Sequence, residues 1–155
     1  MRFELVTDAS PDQVRRALTD FTDRRLVTWH RTLDPTTFEL REHGDTWAVA
    51  RESTPRSPFW VVARYDWSDP EVVRWTELES SYAGLSAGGD QGRGSVRIVP
   101  SAAGGSVLHV EWTYAPPLRA RDRLALLAIH RTPMSRLIAR LWRAALDEYA
   151  AAGPA

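Results

Sequence analysis

The period of the apolar positions changes twice along this chain of 155 residues. Arg2 to Val6 alternates and predicts a first strand. Ser10-Pro11-Asp12-Gln13 then announces a helix: Ser at the N-cap, Pro at the first helical position, and Gln placed to complete a capping box. Val14, Ala17 and Leu18 supply its buried face, and residues 22–29 predict a second short helix ending near Trp29-His30. From Pro35 to Pro116 the period is two. Strands are expected at 36–42, 45–53, 59–67, 71–80, 93–99 and 106–115, separated by turn-rich pieces. Short connections make neighbours antiparallel, so the first strand and this meander form a seven-stranded sheet.

Pro116-Pro117 closes the sheet region, and the period becomes helical again. One helix from Arg121 to Tyr149 would be about 45 Å long, longer than such a domain is wide. Thr132-Pro133 divides it, with Thr as N-cap and Pro as first helical residue, giving helices near 120–131 and 133–151. The last one is amphipathic. Met134, Leu137, Ile138, Leu141, Trp142, Ala145 and Tyr149 share one arc, while Arg136, Arg140, Arg143 and Asp147 share the other. In 122–131, Leu124 and Leu127 point one way and Leu126 and Ile129 nearly the opposite way. A helix apolar on two sides is sandwiched, or covers one side with a partner, a ligand or a membrane.

Composition removes several chemistries. All 20 cationic side chains are arginine, and the chain has no Lys, Cys or Asn. Schiff-base lysine, the P-loop lysine, thiolate nucleophiles, thiolate metal sites and disulfides are therefore excluded. Net charge is zero, but residues 1–116 hold 13 Arg against 17 acids and residues 117–155 hold 7 Arg against 3. The basic final quarter reads first as a solvated helix face, and otherwise as a surface for anionic lipid or a partner. No basic face is interleaved with aromatics, so a nucleic-acid partner is not expected. No run of apolar residues is long enough for a transmembrane helix, and no apolar signal core follows Met1, which points to a soluble, cytoplasmic protein.

The strings RYDWSDP at 64–70, VVRWTELES at 72–80 and GGSVLHVEWTY at 104–114 resemble the START-like (SRPBCC) superfamily, in its bacterial polyketide cyclase/dehydrase and lipid-transport branch. The likeness extends over nearly the whole chain as one domain, 1–155. It implies an α+β helix-grip fold: a curved seven-stranded antiparallel sheet wrapped around a long C-terminal helix, with two short N-terminal helices. It also implies a cavity between sheet and helix that takes a hydrophobic small molecule, with no cofactor. Members of the superfamily bind lipids, polyketides, hormones or quinones, and some cyclise or dehydrate a bound polyketide. They share no catalytic residue, so none is carried over. The segment 118–131 and the late position of the Gly-rich stretch depart from the pattern.

In such a sheet only the concave face is buried, and parity assigns the sides. Leu108, Val110, Trp112 and Tyr114 face in, as do Val96 and Ile98, and Phe59, Val61, Ala63, Tyr65 and Trp67. The simplest hairpin through Ser68-Asp69-Pro70-Glu71 pairs Trp67 with Val72 and Tyr65 with Arg74. That turns Arg74 and Thr76 inward and pairs Arg64 with Trp75 outside. A five-residue loop at 54–58 sends Trp47, Val49 and Arg51 inward; a four-residue loop sends Glu52 inward instead, beside Tyr65, as a candidate general acid or base. Otherwise Glu52 is an outer-face partner of Arg64. The expected ligand wall is thus Trp47, Tyr65, Trp67, Arg74, Thr76, Trp112 and Tyr114, with Leu141 from the last helix. Arg74 is the leading specificity residue, since an arginine on an apolar wall needs an oxygen partner.

Other constellations carry less. His30, His43, His109 and His130 form no close pair, and His109-x-Glu111 faces outward, so no metal site is expected. The stretch 84–94 lacks the strand-to-helix context of a phosphate loop and reads as a hairpin, a candidate lid over the cavity. Glu148 either reaches solvent or closes one end of the cavity, and Trp29-His30 and Tyr82 are candidate entrance residues. Three readings follow: a binder of an apolar ligand, a polyketide cyclase/dehydrase-type enzyme acting in the same cavity through Glu52, Tyr65 or Arg74, and an interaction or homodimer module built on 122–131.

Overall fold

The computed structural model describes residues 1–57, 59–85, 92–117, 119–131 and 133–153, with backbone alone at 84, 85, 125, 126 and 128–131. The elements are β1 (Arg2–Thr7), α1 (Pro11–Thr19), α2 (Arg24–Thr28), β2 (Glu39–His43), β3 (Trp47–Glu52), β4 (Val61–Asp66), β5 (Val72–Ser80), β6 (Gly84–Leu85), β7 (Arg93–Pro100), β8 (Ser106–Thr113), α3 (Ala120–Arg131) and α4 (Met134–Ala151). The predicted helices and principal strands are all present. The two-residue β6 was not expected. The capping box forms as read: Ser10 Oγ accepts from Gln13 N–H and Gln13 Oε1 accepts from Ser10 N–H. α4 starts one residue later than expected, with Pro133 at its cap, and Thr132 lies outside the described residues.

The sheet is antiparallel in the order β1-β8-β7-β5-β4-β3-β2, with β6 added to β5. First and last strands are neighbours, Leu5 opposite Leu108. Bulges between Leu40 and Glu42 and between Val62 and Ala63 sharpen the bend. α1 and α4 lie on the concave face, where Val14, Leu18, Trp29, Val96, Leu108, Val110, Ala145 and Leu146 form the core. Thr7 Oγ1 donates to Asp147 Oδ1 at 2.6 Å, fastening the end of β1 to α4.

Two registers decide which side chains meet the core. β4 and β5 pair Tyr65 with Trp75 and Asp66 with Arg74. This is one residue away from the simplest hairpin, so the expectation for Arg74 and Thr76 is corrected: Val73, Trp75 and Glu77 face in. Arg74 stands on the convex side, 51% exposed and 2.9 Å from Asp69. Arg64 faces Thr76, not Trp75. The cause is the loop. Asp66 accepts from Ser68 N–H and Asp69 from Glu71 N–H, while the Arg15 guanidinium donates to the carbonyls of Trp67, Asp69 and Pro70. A five-residue turn is thereby held open by α1.

In β3 the inner residues are Ala48, Ala50 and Glu52, opposite Tyr65, Ala63 and Val61. Trp47 and Arg51 are therefore outside, Trp47 beneath Arg64 and Arg51 over Trp60. Glu52 is inside and is not a partner of Arg64.

Candidate functional site

A cavity of about 450 Å³ lies between the concave face and α4. Its sheet side is made by Val61, Ala63 and Tyr65 of β4, Val73 and Trp75 of β5, Val96 of β7, and Trp112 and Tyr114 at the end of β8. Met134, Leu137, Ile138, Leu141 and Trp142 of α4 close it from the other side, along the apolar arc read from the sequence. The space exists because the inner sheet positions there include small residues, while the large rings are braced against one another. Trp29 packs on Trp142 with centroids 5.3 Å apart, Trp112 stacks on Tyr114 at 5.3 Å, and Trp75 meets Trp112 edge-on at 5.4 Å.

One end of this apolar wall is polar. Arg25 of α2 donates from Nε to Glu52 Oε1 at 2.7 Å and from Nη1 to the Leu18 carbonyl at 3.2 Å. Tyr65 donates its hydroxyl hydrogen to Glu52 Oε2 at 2.6 Å. The guanidinium also lies 3.9 Å from the centre of the Phe21 ring. Burial works most strongly against the charge on Arg25, but Glu52 and Tyr65 together outweigh it, and Arg25 is held more firmly protonated than a free arginine. Burial, and after it the charge of Glu52, pushes the Tyr65 phenol well above its ordinary range. The cluster is an ion pair with a neutral phenol attached, and all three residues line the cavity.

A second carboxyl lies behind the wall. Glu77 of β5 has no exposed surface. Its Oε2 accepts from the Tyr82 hydroxyl at 2.6 Å, and Gly92 sits so close that a Cβ there would collide with the carboxyl. Its Oε1 makes no hydrogen bond, and neither does the buried Trp112 Nε1. Burial raises Glu77, and the hydrogen bond from the Tyr82 hydroxyl draws it part of the way back. Burial, then Glu77, also raises Tyr82, while Tyr114 is pushed up to about 12.

Of the residues expected on the ligand wall, Tyr65, Trp112, Tyr114 and Leu141 line the cavity. Trp67 keeps the inner side but stacks on Phe21, 5.7 Å between centroids, away from the cavity. Trp47, Arg74 and Thr76 do not line it. Trp29 and Tyr82 are buried wall residues, not entrance residues, and His30 is exposed. Glu148 reaches solvent and takes a bidentate pair from Arg31, both contacts 2.7 Å, at the cavity rim. Arg25 and Glu77 were missed. Arg25 lies four residues before Trp29 on the second short helix read from the sequence, a spacing that puts it on the side Trp29 buries. Glu77 continues the alternation of Val73 and Trp75.

The candidate lid at 84–94 includes residues 86–91, which lie outside the described residues. So do the side chains of Leu126 and Ile129. Among the described residues, no group of three or more His, Asp or Glu is placed to hold a metal ion. No helix among them is long and apolar enough to cross a membrane.

No family model matches the chain, and no curated protein sequence does. Solved structures do. The Zhui aromatase/cyclase from Streptomyces sp. R1128 superposes with TM-score 0.73 at 18% identity, over 100% of this chain and 98% of that one. A STAR-related lipid transfer protein fragment from Xanthomonas axonopodis gives 0.64 at 21% identity, over 94% and 84%. Truncated norcoclaurine synthase from Thalictrum flavum gives 0.63 at 13% identity, over 97% and 91%. With these structures the chain shares a bent antiparallel sheet gripping a long C-terminal helix, and it therefore has the helix-grip fold.

Proposed function

We propose that this protein binds one apolar small molecule, aromatic or acyl in character, between the sheet and α4, with an oxygen of the ligand set against Arg25, Glu52 and Tyr65. The observation that carries this is a cavity of about 450 Å³ walled by aromatic and aliphatic side chains, with one buried ion pair on its surface. Small-molecule sites have this size and this mixture, in which apolar walls supply affinity and a few fixed polar groups supply orientation. Arg25 spends Nε on Glu52 and one Nη1 hydrogen on Leu18, which leaves further guanidinium N–H donors for a ligand oxygen.

A second reading is favoured by the 2.6 Å contact between Tyr65 and Glu52 on the same wall. A hydroxyl hydrogen-bonded to a carboxylate on an otherwise apolar cavity wall can pass a proton to or from a bound ketone, as a cyclase or dehydrase step needs. The two readings separate cleanly. With a carrier, Glu52→Gln and Tyr65→Phe keep binding and nothing else is lost; with an enzyme, binding survives and turnover disappears.

The primary test is native mass spectrometry of the freshly purified protein, followed by denaturing extraction of whatever is bound. A small molecule at near one-to-one, depleted in an Ala63→Leu variant that narrows the cavity, supports the reading. An empty wild-type protein whose tryptophan fluorescence also ignores apolar probes overturns it.

A further inference from the structure

The C-terminal quarter carries surface that the cavity leaves unused. In α3 successive residues step about 100° around the axis, which orders Arg123, Leu127, Leu124 and Arg121 along one arc. Leu124 is 69% and Leu127 44% exposed, and the two arginines that bracket them are exposed as well. Asp122, the helix's one acid, lies on the opposite side and is buried; Arg121 Nε approaches it at 3.5 Å. The other two acids of residues 117–155 are engaged elsewhere, Asp147 by Thr7 and Arg143, and Glu148 by Arg31. The pattern continues at the start of α4. Arg136 and Arg140 are exposed, and Leu137, 47% exposed, also lines the cavity.

Exposed leucines bracketed by arginines with no exposed acid between them suit a surface that is apolar inside and anionic outside. A second copy would set arginine against arginine. We propose that the Arg121–Leu124–Leu127–Arg123 face of α3 docks on an anionic lipid bilayer, the leucines entering the acyl boundary and the arginines resting on phosphates. The docking does not depend on the cavity holding a ligand.

The test is vesicle co-sedimentation of the full chain with phosphatidylcholine vesicles, with and without phosphatidylglycerol. Binding is expected only with phosphatidylglycerol present. It should fall as salt shortens the Debye length from about 30 Å to about 8 Å. The double variant Arg121→Glu, Arg123→Glu should bind about tenfold or more weakly, and Leu124→Ser with Leu127→Ser should also weaken binding severalfold. Circular dichroism confirms that these surface variants are folded. No binding to anionic vesicles at low salt overturns the proposal, as does binding that neither double variant weakens. A concentration-dependent dimer abolished by the leucine variant, without vesicle binding, overturns it in favour of a second copy. Retention on a soluble polyanion that matches vesicle binding and ignores the leucine variant overturns it in favour of an acidic protein. Ala63→Leu should leave vesicle binding intact, so loss of the cavity reading and loss of the docking are seen separately.

Discussion

Glu52 on β3 and Tyr65 on β4 point into the same cavity and meet at 2.6 Å, with the phenol donating. Arg25 reaches the other carboxylate oxygen from α2 at 2.7 Å. Each partner is therefore held by an element the others do not belong to. The cluster ties the second helix to the third and fourth strands, and it fixes the direction in which a donor faces the cavity.

Removing one member should expose the cost of the buried charge. Glu52→Ala leaves the Arg25 guanidinium without its anion, and a loss of about 3–5 kcal/mol of stability is expected. Replacing both, Arg25→Met with Glu52→Leu, should recover most of that loss, because an apolar pair needs no desolvation. Tyr65→Phe should cost only about 1–2 kcal/mol, since Glu52 retains Arg25. Urea unfolding of the three variants decides. A double variant no more stable than Glu52→Ala would show that the cluster acts through packing.

Glu77 should make stability fall as pH rises. Its folded-state value is raised by burial, so the unfolded chain gives up this proton first. Stability is then lost from the ordinary carboxyl value of about 4.3 upward, until the folded protein ionises too. Glu77→Gln keeps an acceptor for Tyr82 and removes the titration. The variant should melt higher than wild type at neutral pH, and the gap should close toward pH 4. Melting curves that stay parallel across the range would count against this account.

Asp147 should act in the opposite sense. Burial raises it, but the bonds from Thr7, the Asp8 N–H and Arg143 prevail and hold it below the usual aspartate range. That stability is present above the unfolded value of about 3.9 and is lost as pH falls through the lower folded value. Thr7→Val should therefore be less stable than wild type at neutral pH, with the difference shrinking on acidification. Thermal melts of both proteins from neutral pH into acid check the sign.

Gly94 should tolerate no side chain. It lies across from Trp75 on the neighbouring strand, and a Cβ would overlap the indole. Gly94→Ala must push Trp75 into the cavity or spread the strands, at about 1–3 kcal/mol for overpacking. Near-ultraviolet circular dichroism should change, and affinity for any cavity ligand should drop with it. Unchanged affinity would place the ligand away from Trp75.

The element order was legible in the residues because periodicity and capping are local. Ser10 and Gln13 are three residues apart, and their reciprocal bonds need nothing beyond that turn. The apolar arc of α4 follows likewise from 3.6 residues per turn, and Met134, Leu137, Ile138 and Leu141 meet the cavity as read. In β8 parity sufficed, since Leu108, Val110, Trp112 and Tyr114 alternate without interruption.

The facing of β3 and β5 belonged to the tertiary structure. A strand's side is set by the parity of the loop before it, and one residue more turns Arg74 out and Glu77 in. That residue is accommodated because Arg15, fifty or more positions earlier, holds the carbonyls of Trp67, Asp69 and Pro70. The same holds for the polar cluster. Arg25, Glu52 and Tyr65 are 27 and 13 residues apart in sequence, and they become one site only when the sheet bends around α4. The chain alone thus determined which segments are helix, strand and core; packing across the fold decided which charges share the cavity wall, because the energy that selects a register comes from distant groups.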